Sequence, residues 1–466
     1  MAGLAAAVAL TRAGVRVSVY ESRHVVGGRM RSDLLGSATV DPGVQLVSSA
    51  YTALFELARV TGADELLVRA PGRDALWRGG RAHGITYGSV PSMVGSSALP
   101  AMLKLRLGAR YLPFLNTSAR DLDASDPAGS GGLAHDDESV AAWGEREMGS
   151  DFVELLTYPL LAAYYGSLPE TTTAALYHAL ARMGMNVRVH AVAGGAGRLP
   201  QAVAEWLLAQ GAQVHTEAIV DAIDVHDSRA HVTVGGGDTP YDALVIAVPP
   251  ASARTLVAGI PALAGWLEGV RSRPTVTAAF LLDAPLSREW FGLSFPRGSK
   301  PGERIAALAA QSRKLPSLVP DGEALVVYPQ PELGARIADA EPKRVVDELM
   351  PGLVAAFPDI ESRVLRARTY AFPEGYSLFG PGSLRHIAAL QQVEMPVRRS
   401  GCELAQQPLT RAHIAATACP CGDPARGCVS APAARAGSAI AHGPRYGRGC
   451  GAGRGSSAPP HRLPRG

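Results

Sequence analysis

Glu21 closes the segment Val15-Arg-Val-Ser-Val-Tyr-Glu21, and Val25-Val-Gly-Gly-Arg-Met30 follows almost at once. An acid at the carboxyl end of an alternating strand can accept hydrogen bonds from the two vicinal hydroxyls of a ribose. The glycine pair Gly27-Gly28 lets backbone amides approach a phosphate closely, and Arg29 adds a cation beside them. The chemistry these residue types and spacings offer is the holding of an adenosine dinucleotide.

The elements that position them are legible upstream. Ala2-Gly3-Leu4 through Ala13 is a run of small and apolar residues closed by Gly14, which predicts a helix thin enough to lie tight on a sheet. Val15, Val17 and Val19 then alternate with polar residues, the period of a strand. Helix, glycine stop, strand, acid is the order of a Rossmann unit. Gly3 fits the third glycine of a G-x-G-x-x-G turn; the first strand and the first two glycines are expected either upstream of Met1 or lost from a damaged chain.

Composition narrows the class. The chain has 466 residues, 47% hydrophobic and 19% charged, which is ordinary for a globular protein of two or three domains. No apolar run reaches the roughly 18 to 20 residues of a membrane span. The apolar start belongs to the Rossmann helix rather than to a signal peptide, so the expected location is cytoplasmic. Leu99 to Leu115, an apolar stretch interrupted by Lys104, Arg106 and Arg110, reads as a buried amphipathic helix with a peripheral membrane contact as the alternative. All five cysteines follow residue 400, in a segment rich in Arg, Gly and Pro with Glu403 and Asp423 as its acids. Such a tail cannot bury a core, so disorder is expected over 400–466, with the composition of an out-of-frame reading of GC-rich DNA. The basic balance sits in that tail and is no nucleic-acid face. Cys419, Cys421 and Cys428 lack the partner for a tetrahedral zinc set, so no metal site is expected.

Along the chain, the pattern predicts a helix over Ala53 to Thr61 and a hairpin from Trp77 to Tyr87 turning at Gly79-Gly80. Residues 89–189 read as mostly helical. Gly194 to Pro200 precedes a helix Gln201 to Gln210, then strands Gln213 to Thr216, Ile219 to Val225, Arg229 to Val234 and the apolar Ala243 to Val248. Thr275 to Leu282 is a further strand and Pro342 to Phe357 a helix.

Four segments together resemble the FAD-dependent oxidoreductases of the flavin amine-oxidase superfamily: Glu21 with Gly27-Gly28-Arg29-Met30, Asp41-Pro-Gly43-Val-Gln45, Gly194 to Pro200 with Val220, and Val245-Ile-Ala-Val-Pro249. Ser312-Arg-Lys-Leu-Pro316, Phe379 to His386 and Tyr164-Tyr-Gly166 draw the resemblance toward the protoporphyrinogen-oxidase-like branch. The usual late Gly-Asp motif does not follow Pro396; Gly422-Asp423 is a faint imitation. The resemblance implies an α/β fold: a discontinuous Rossmann-like FAD-binding domain (1–88, 190–262, 358–399) with an inserted α+β substrate domain (89–189, 263–357) and a disordered tail.

It also implies roles. Gly3 packs the first helix, Glu21 meets the adenosine ribose, Gly27, Gly28 and Arg29 serve the pyrophosphate, Gly43, Val44 and Gln45 lie along the isoalloxazine, and Val220 offers its backbone to adenine. No residue is singled out as catalytic. The implied activity is hydride removal from a carbon–hydrogen bond of a small molecule, a porphyrinogen first, with dioxygen or another electron acceptor; the alternatives are an amine oxidase, a carotenoid-type desaturase or a non-catalytic remnant. The amine oxidases of the superfamily place a lysine near the flavin, and no lysine occurs between Val270 and Leu282.

Overall fold

A computed structural model describes residues 1–390 apart from 119–121, 123–131, 228 and 287–288. The tail expected to be disordered, its cysteines and Gly422-Asp423 lie outside the described residues. The fold is α/β, with helices and strands interleaved along the chain.

Its largest element is a seven-stranded sheet in the order Val364–Leu378, Arg271–Leu282, Glu323–Pro329, Ile305–Ala310, Gly292–Ser294, Asp74–Arg78, Arg81–Ile85. Neighbours are antiparallel except Gly292–Ser294 beside Asp74–Arg78. Glu323–Pro329 and Ile305–Ala310 are buried at every residue, because both faces of the sheet are covered. Phe280, Leu325 and Val327 point into one core with Leu349 and Leu353 of the helix Pro342–Ala356. Ala279, Val326 and Tyr328 point into another with Val40 and Phe372. Each large apolar side chain so buried stabilises the fold by about 1.5–3 kcal/mol.

The described residues of 90–118 and 132–183 supply helices packed around Tyr111, Trp143, Phe152 and Tyr177. Two π-helical turns, Leu107–Tyr111 and Val153–Thr157, lie in this cluster, and the Ser139 hydroxyl caps the helix Val140–Glu147 by accepting from Ala142 N at 3.2 Å. His178 is fully buried among these rings; desolvation lowers its pKa to about 3, so it is neutral.

The nucleotide-type unit is smaller. The helix Ala2–Arg12 ends before Gly14, which takes φ +79°, and packs Leu4, Ala7 and Val8 on Val203 and Leu207 of the helix Arg198–Ala209. Ser18–Tyr20 pairs in parallel with Gln213–His215 as a two-stranded sheet. Val220–His226, Arg229–Val234 and Gly237–Tyr241 form an antiparallel meander. One expected strand does not form. Ala243 to Val248 is unpaired, although a Cβ on Gly3 would stand 3.3 Å from Ala247, so the segment runs beside the first helix. Among the described residues no strand flanks it, and Ser18–Tyr20 is bonded only to Gln213–His215. An apolar run becomes a strand only where a neighbour satisfies its N–H and C=O groups.

Candidate cofactor site

The chain reverses after Ser18–Tyr20 and meets the loop that follows Gln213–His215. Glu21 N donates to His215 O at 2.8 Å, Ala218 N donates to Glu21 O at 3.0 Å, and Glu217 N donates to Arg23 O at 2.9 Å. Glu21 is thus fixed at the strand end by backbone alone; its Oε1 accepts from Arg23 N at 3.1 Å. Val220 lies two residues beyond the Ala218 contact, opposite Val234, at a bulge before Ala222. The ammonium of Met1, at the start of the first helix, has its pKa lowered by burial; Glu21 opposes the shift and Arg29 adds to it. Both side chains therefore lie close to that helix start, which carries Gly3.

Gly27 and Gly28 take φ +113° and +63°. A Cβ on Gly27 would meet Met30 O and Pro200 at 2.6 Å, whereas nothing lies within 4 Å of one on Gly28. The first glycine is needed for packing; the second leaves its backbone bare, as a cradle for a ligand would. Arg29 Nη1 donates to Gly375 O at 2.7 Å, and Arg29 O lies against Gly43, where a Cβ would clash. Val44 packs toward Met30 and Leu199.

What joins these turns is a buried polar network. Asp41 Oδ1 accepts from Ser32 Oγ at 2.5 Å and Ala196 N at 2.9 Å, and Ser32 Oγ accepts from Gly197 N at 2.9 Å. Asp41 Oδ2 accepts from Lys314 Nζ at 2.5 Å, in an ion pair with side chains 1% and 0% exposed. Lys314 also donates to Gln45 Oε1 at 3.1 Å, which accepts from Gln311 Nε2 at 2.9 Å as well. Gln45 Nε2 donates to Tyr328 Oη at 2.7 Å and to Asp41 O. Burial lowers the Lys314 pKa and the Asp41 carboxylate raises it against that trend. The network ties Gly27–Met30, Asp41–Gln45 and Gly194–Pro200 to the seven-stranded sheet. Sequence reading had these three segments but not their hub: Asp41 and Lys314 are 273 residues apart. Lys314 does not come from the Val270 to Leu282 strand, so its place behind the Gln45 loop could be found only from the fold.

Beyond Arg29 the site opens onto tyrosines. Tyr376 packs over Gly166, where a Cβ would stand 2.1 Å from its ring, and Arg273 Nη1 donates to Gly166 O at 3.0 Å. Tyr164 and Tyr51 are 47% and 42% exposed. The Tyr164 hydroxyl donates to Asp74 Oδ2 at 3.2 Å, and Asp74 leans over Gly292 with no ion pair among the described residues. Burial pushes the Asp74 pKa up to about 6. Among the described residues no cluster of His, Cys, Asp and Glu could hold a metal, and no helix is long and apolar enough to cross a membrane.

These residues fit an FAD-type cofactor: a bare positive-φ glycine, a carboxylate at the strand end and a helix start converge, with Arg29 beside them. Comparison with known proteins agrees. A putative flavin-containing monoamine oxidase of Mycobacterium tuberculosis is 26% identical over 264 residues, 54% of this chain and 55% of that protein, so the chain spans about half its length. The hydroxysqualene dehydroxylase of Sinorhizobium fredii is 26% identical over 363 residues, 72% of this chain and 77% of that protein. The crystal structure of a putative protoporphyrinogen oxidase from Exiguobacterium superimposes with a TM-score of 0.63 at 18% identity, covering 84% of this chain and 88% of that one, a likeness of fold. The branch expected from the sequence is therefore one of several that match. The family model of flavin-containing amine oxidoreductases matches residues 1–406, and the chain belongs to that FAD-dependent family.

Proposed function

We propose that the chain is an FAD-dependent oxidase or dehydrogenase that removes a hydride from the carbon beside the nitrogen of a small amine. In this reading Glu21 holds the adenosine ribose, Val220 offers backbone to adenine, and Gly3, Gly27, Gly28 and Arg29 serve the pyrophosphate. Gly43, Val44 and Gln45 line the flavin. Bound FAD supplies the two-electron acceptor, with dioxygen or another molecule taking the electrons onward. The protein's part is to orient the substrate and exclude water. In this reading the cofactor half draws on 1–88, 190–262 and 358–399 and the substrate wall on 89–189 with 263–357, the two halves sharing the seven-stranded sheet through Asp74–Arg78, Arg81–Ile85 and Val364–Leu378.

Asp74 carries the choice of an amine. It is a carboxylate among tyrosines with no cation paired to it in the described structure, so it draws in a protonated amine. A porphyrinogen, the substrate first expected, brings several carboxylates and needs free guanidinium groups. Arg29 is assigned to the pyrophosphate in this reading, and Arg273 is turned to the carbonyl of Gly166. The test is anaerobic mixing of the FAD-loaded protein with benzylamine, with a porphyrinogen and with a polyene, following bleaching of the flavin band. Bleaching by the amine, with a half-saturating amine concentration for flavin reduction that rises about tenfold in Asp74→Asn, supports the reading; bleaching by the porphyrinogen alone replaces it. A peripheral lipid contact fits residues 99–115. Leu103, Leu107 and Tyr111 there are buried, while Met102 and Leu105 are 56% and 63% exposed beside Lys104.

A further inference from the structure

We propose that Lys314 is the positioning residue of the cofactor site, holding Asp41 as an anion so that the glycine-bearing segments Gly27–Met30, Asp41–Gln45 and Gly194–Pro200 keep one common frame. The inference rests on the reading of those segments as the FAD site and adds a residue remote from them in sequence.

The geometry has three parts. First, Asp41 spends both carboxylate oxygens: Oδ1 accepts from Ser32 Oγ and Ala196 N, and Oδ2 accepts from Lys314 Nζ. Ser32 follows the Gly27–Met30 turn, and Ala196 belongs to the turn before the helix Arg198–Ala209. One carboxylate thereby bridges the two turns, beside the direct Gly197 N to Ser32 Oγ hydrogen bond and the packing of Gly27 on Pro200.

Second, Lys314 reaches this carboxylate from the other layer. It ends the short helix Gln311–Lys314, directly after the sheet strand Ile305–Ala310. Its second acceptor, Gln45 Oε1, is shared with Gln311 of the same helix, and Gln45 Nε2 donates to Tyr328 of the adjacent strand. The loop that would face the flavin is consequently gripped at both ends, Asp41 and Gln45, by Lys314 and Gln311 of the helix that follows this sheet strand and by Tyr328 of the sheet.

Third, the grip depends on charge. A buried ion pair is expensive to form, and a lone carboxylate in that position is worse, so loss of the ammonium forces Asp41 to take up a proton or to move. Either response alters the acceptors that Ser32 and Ala196 rely on. A side chain that only filled volume there would leave the turns where they are. The neighbouring donor, Gln311 Nε2, is already engaged by Gln45 Oε1 and Ala309 O, so it is not free to take the place of Lys314 on Asp41.

The test is titration of FAD into the full chain, Lys314→Met, Asp41→Asn and Leu318→Ala, read by flavin fluorescence quenching and by the visible circular dichroism of the bound flavin. Far-UV circular dichroism and melting temperature are recorded for each. Leu318 is buried in the core under this helix and touches none of the turns by hydrogen bond, so it is the control for plain destabilisation. Lys314→Met and Asp41→Asn should each raise the FAD dissociation constant at least tenfold and change the visible dichroism at saturating FAD. Leu318→Ala should lower the melting temperature as much and leave both flavin readouts as in the parent. Equal FAD affinity and dichroism in Lys314→Met and Leu318→Ala, both folded, would overturn the proposal. So would the failure of both Lys314→Met and Asp41→Asn to fold, since the pair would then be a folding element. Absence of FAD binding by the parent chain would instead defeat the reading of the site itself.

Discussion

Ala243–Val248 and Thr275–Leu282 are two runs of similar apolar character with opposite fates. Thr275–Leu282 sits between Glu323–Pro329 and Val364–Leu378, bonded on both edges and buried from Thr275 onward. Ala243–Val248 runs beside the first helix, half-exposed or exposed throughout, and is bonded to no strand among the described residues. Hydrophobicity marks both as strand material, but the ladder forms only where a partner meets it. The difference also divides the molecule: the substrate-side sheet is stiff and self-sufficient, while the nucleotide side is held by short contacts around Glu21 and the Asp41–Lys314 pair.

Several changes should sharpen or break that contrast. The largest effect belongs to the sheet: Phe280→Ala, in a fully buried position, should cost about 3–5 kcal/mol in denaturant unfolding. A cost below 1 kcal/mol would make the sheet no stiffer than the unpaired run.

The helical cluster should respond to acid. His178 has a folded pKa of about 3 against 6.5 unfolded, so between those values the unfolded chain binds the extra proton and stability falls as pH falls. From pH 7 to pH 5 this amounts to about 2 kcal/mol, and His178→Phe should remove that part of the slope.

Asp74 works in the other direction. Its folded pKa is raised to about 6, so its contribution is complete below the unfolded value near 3.8 and is lost as pH rises through 6. Asp74→Asn should therefore be stabilising at pH 7 relative to pH 5 by about 1 kcal/mol, opposing the His178 effect; an unchanged slope by chemical denaturation would mean the carboxylate is not desolvated. Smallest of all, Ile246→Ala in the unpaired run should cost under about 1 kcal/mol, because its side chain is only partly buried. A cost like that of Phe280→Ala would show that the run is a structural strand after all.

The sequence carried most of this architecture wherever a local signal existed. The helix Ala2–Arg12 with its Gly14 stop, the Gly79-Gly80 hairpin and the helix Pro342–Ala356 follow from periodicity and turn residues. Val364–Leu378 was missed because Arg366, Arg368, Pro373 and Gly375 break its pattern. It is an edge strand, where exposed arginines are tolerated, and its register shifts between Arg273 and Thr275, opposite Pro373. Gly237–Tyr241 was missed because four of its five residues are exposed, so no apolar alternation marks it. At the site, Glu21, Gly27 and Gly28 were visible as local motif. Lys314 and Asp74 were not, because their meaning comes from residues hundreds or tens of positions away.

The most direct measurement is FAD bound per chain at equilibrium dialysis, for the parent and for Glu21→Ala. The account predicts measurable FAD binding by the parent chain. It also predicts an affinity loss of about 1.5–3 kcal/mol in the variant, the range for a hydrogen bond to a charged group. A parent chain that binds no FAD, or a variant that binds it equally well, would contradict the placement of the adenosine at Glu21.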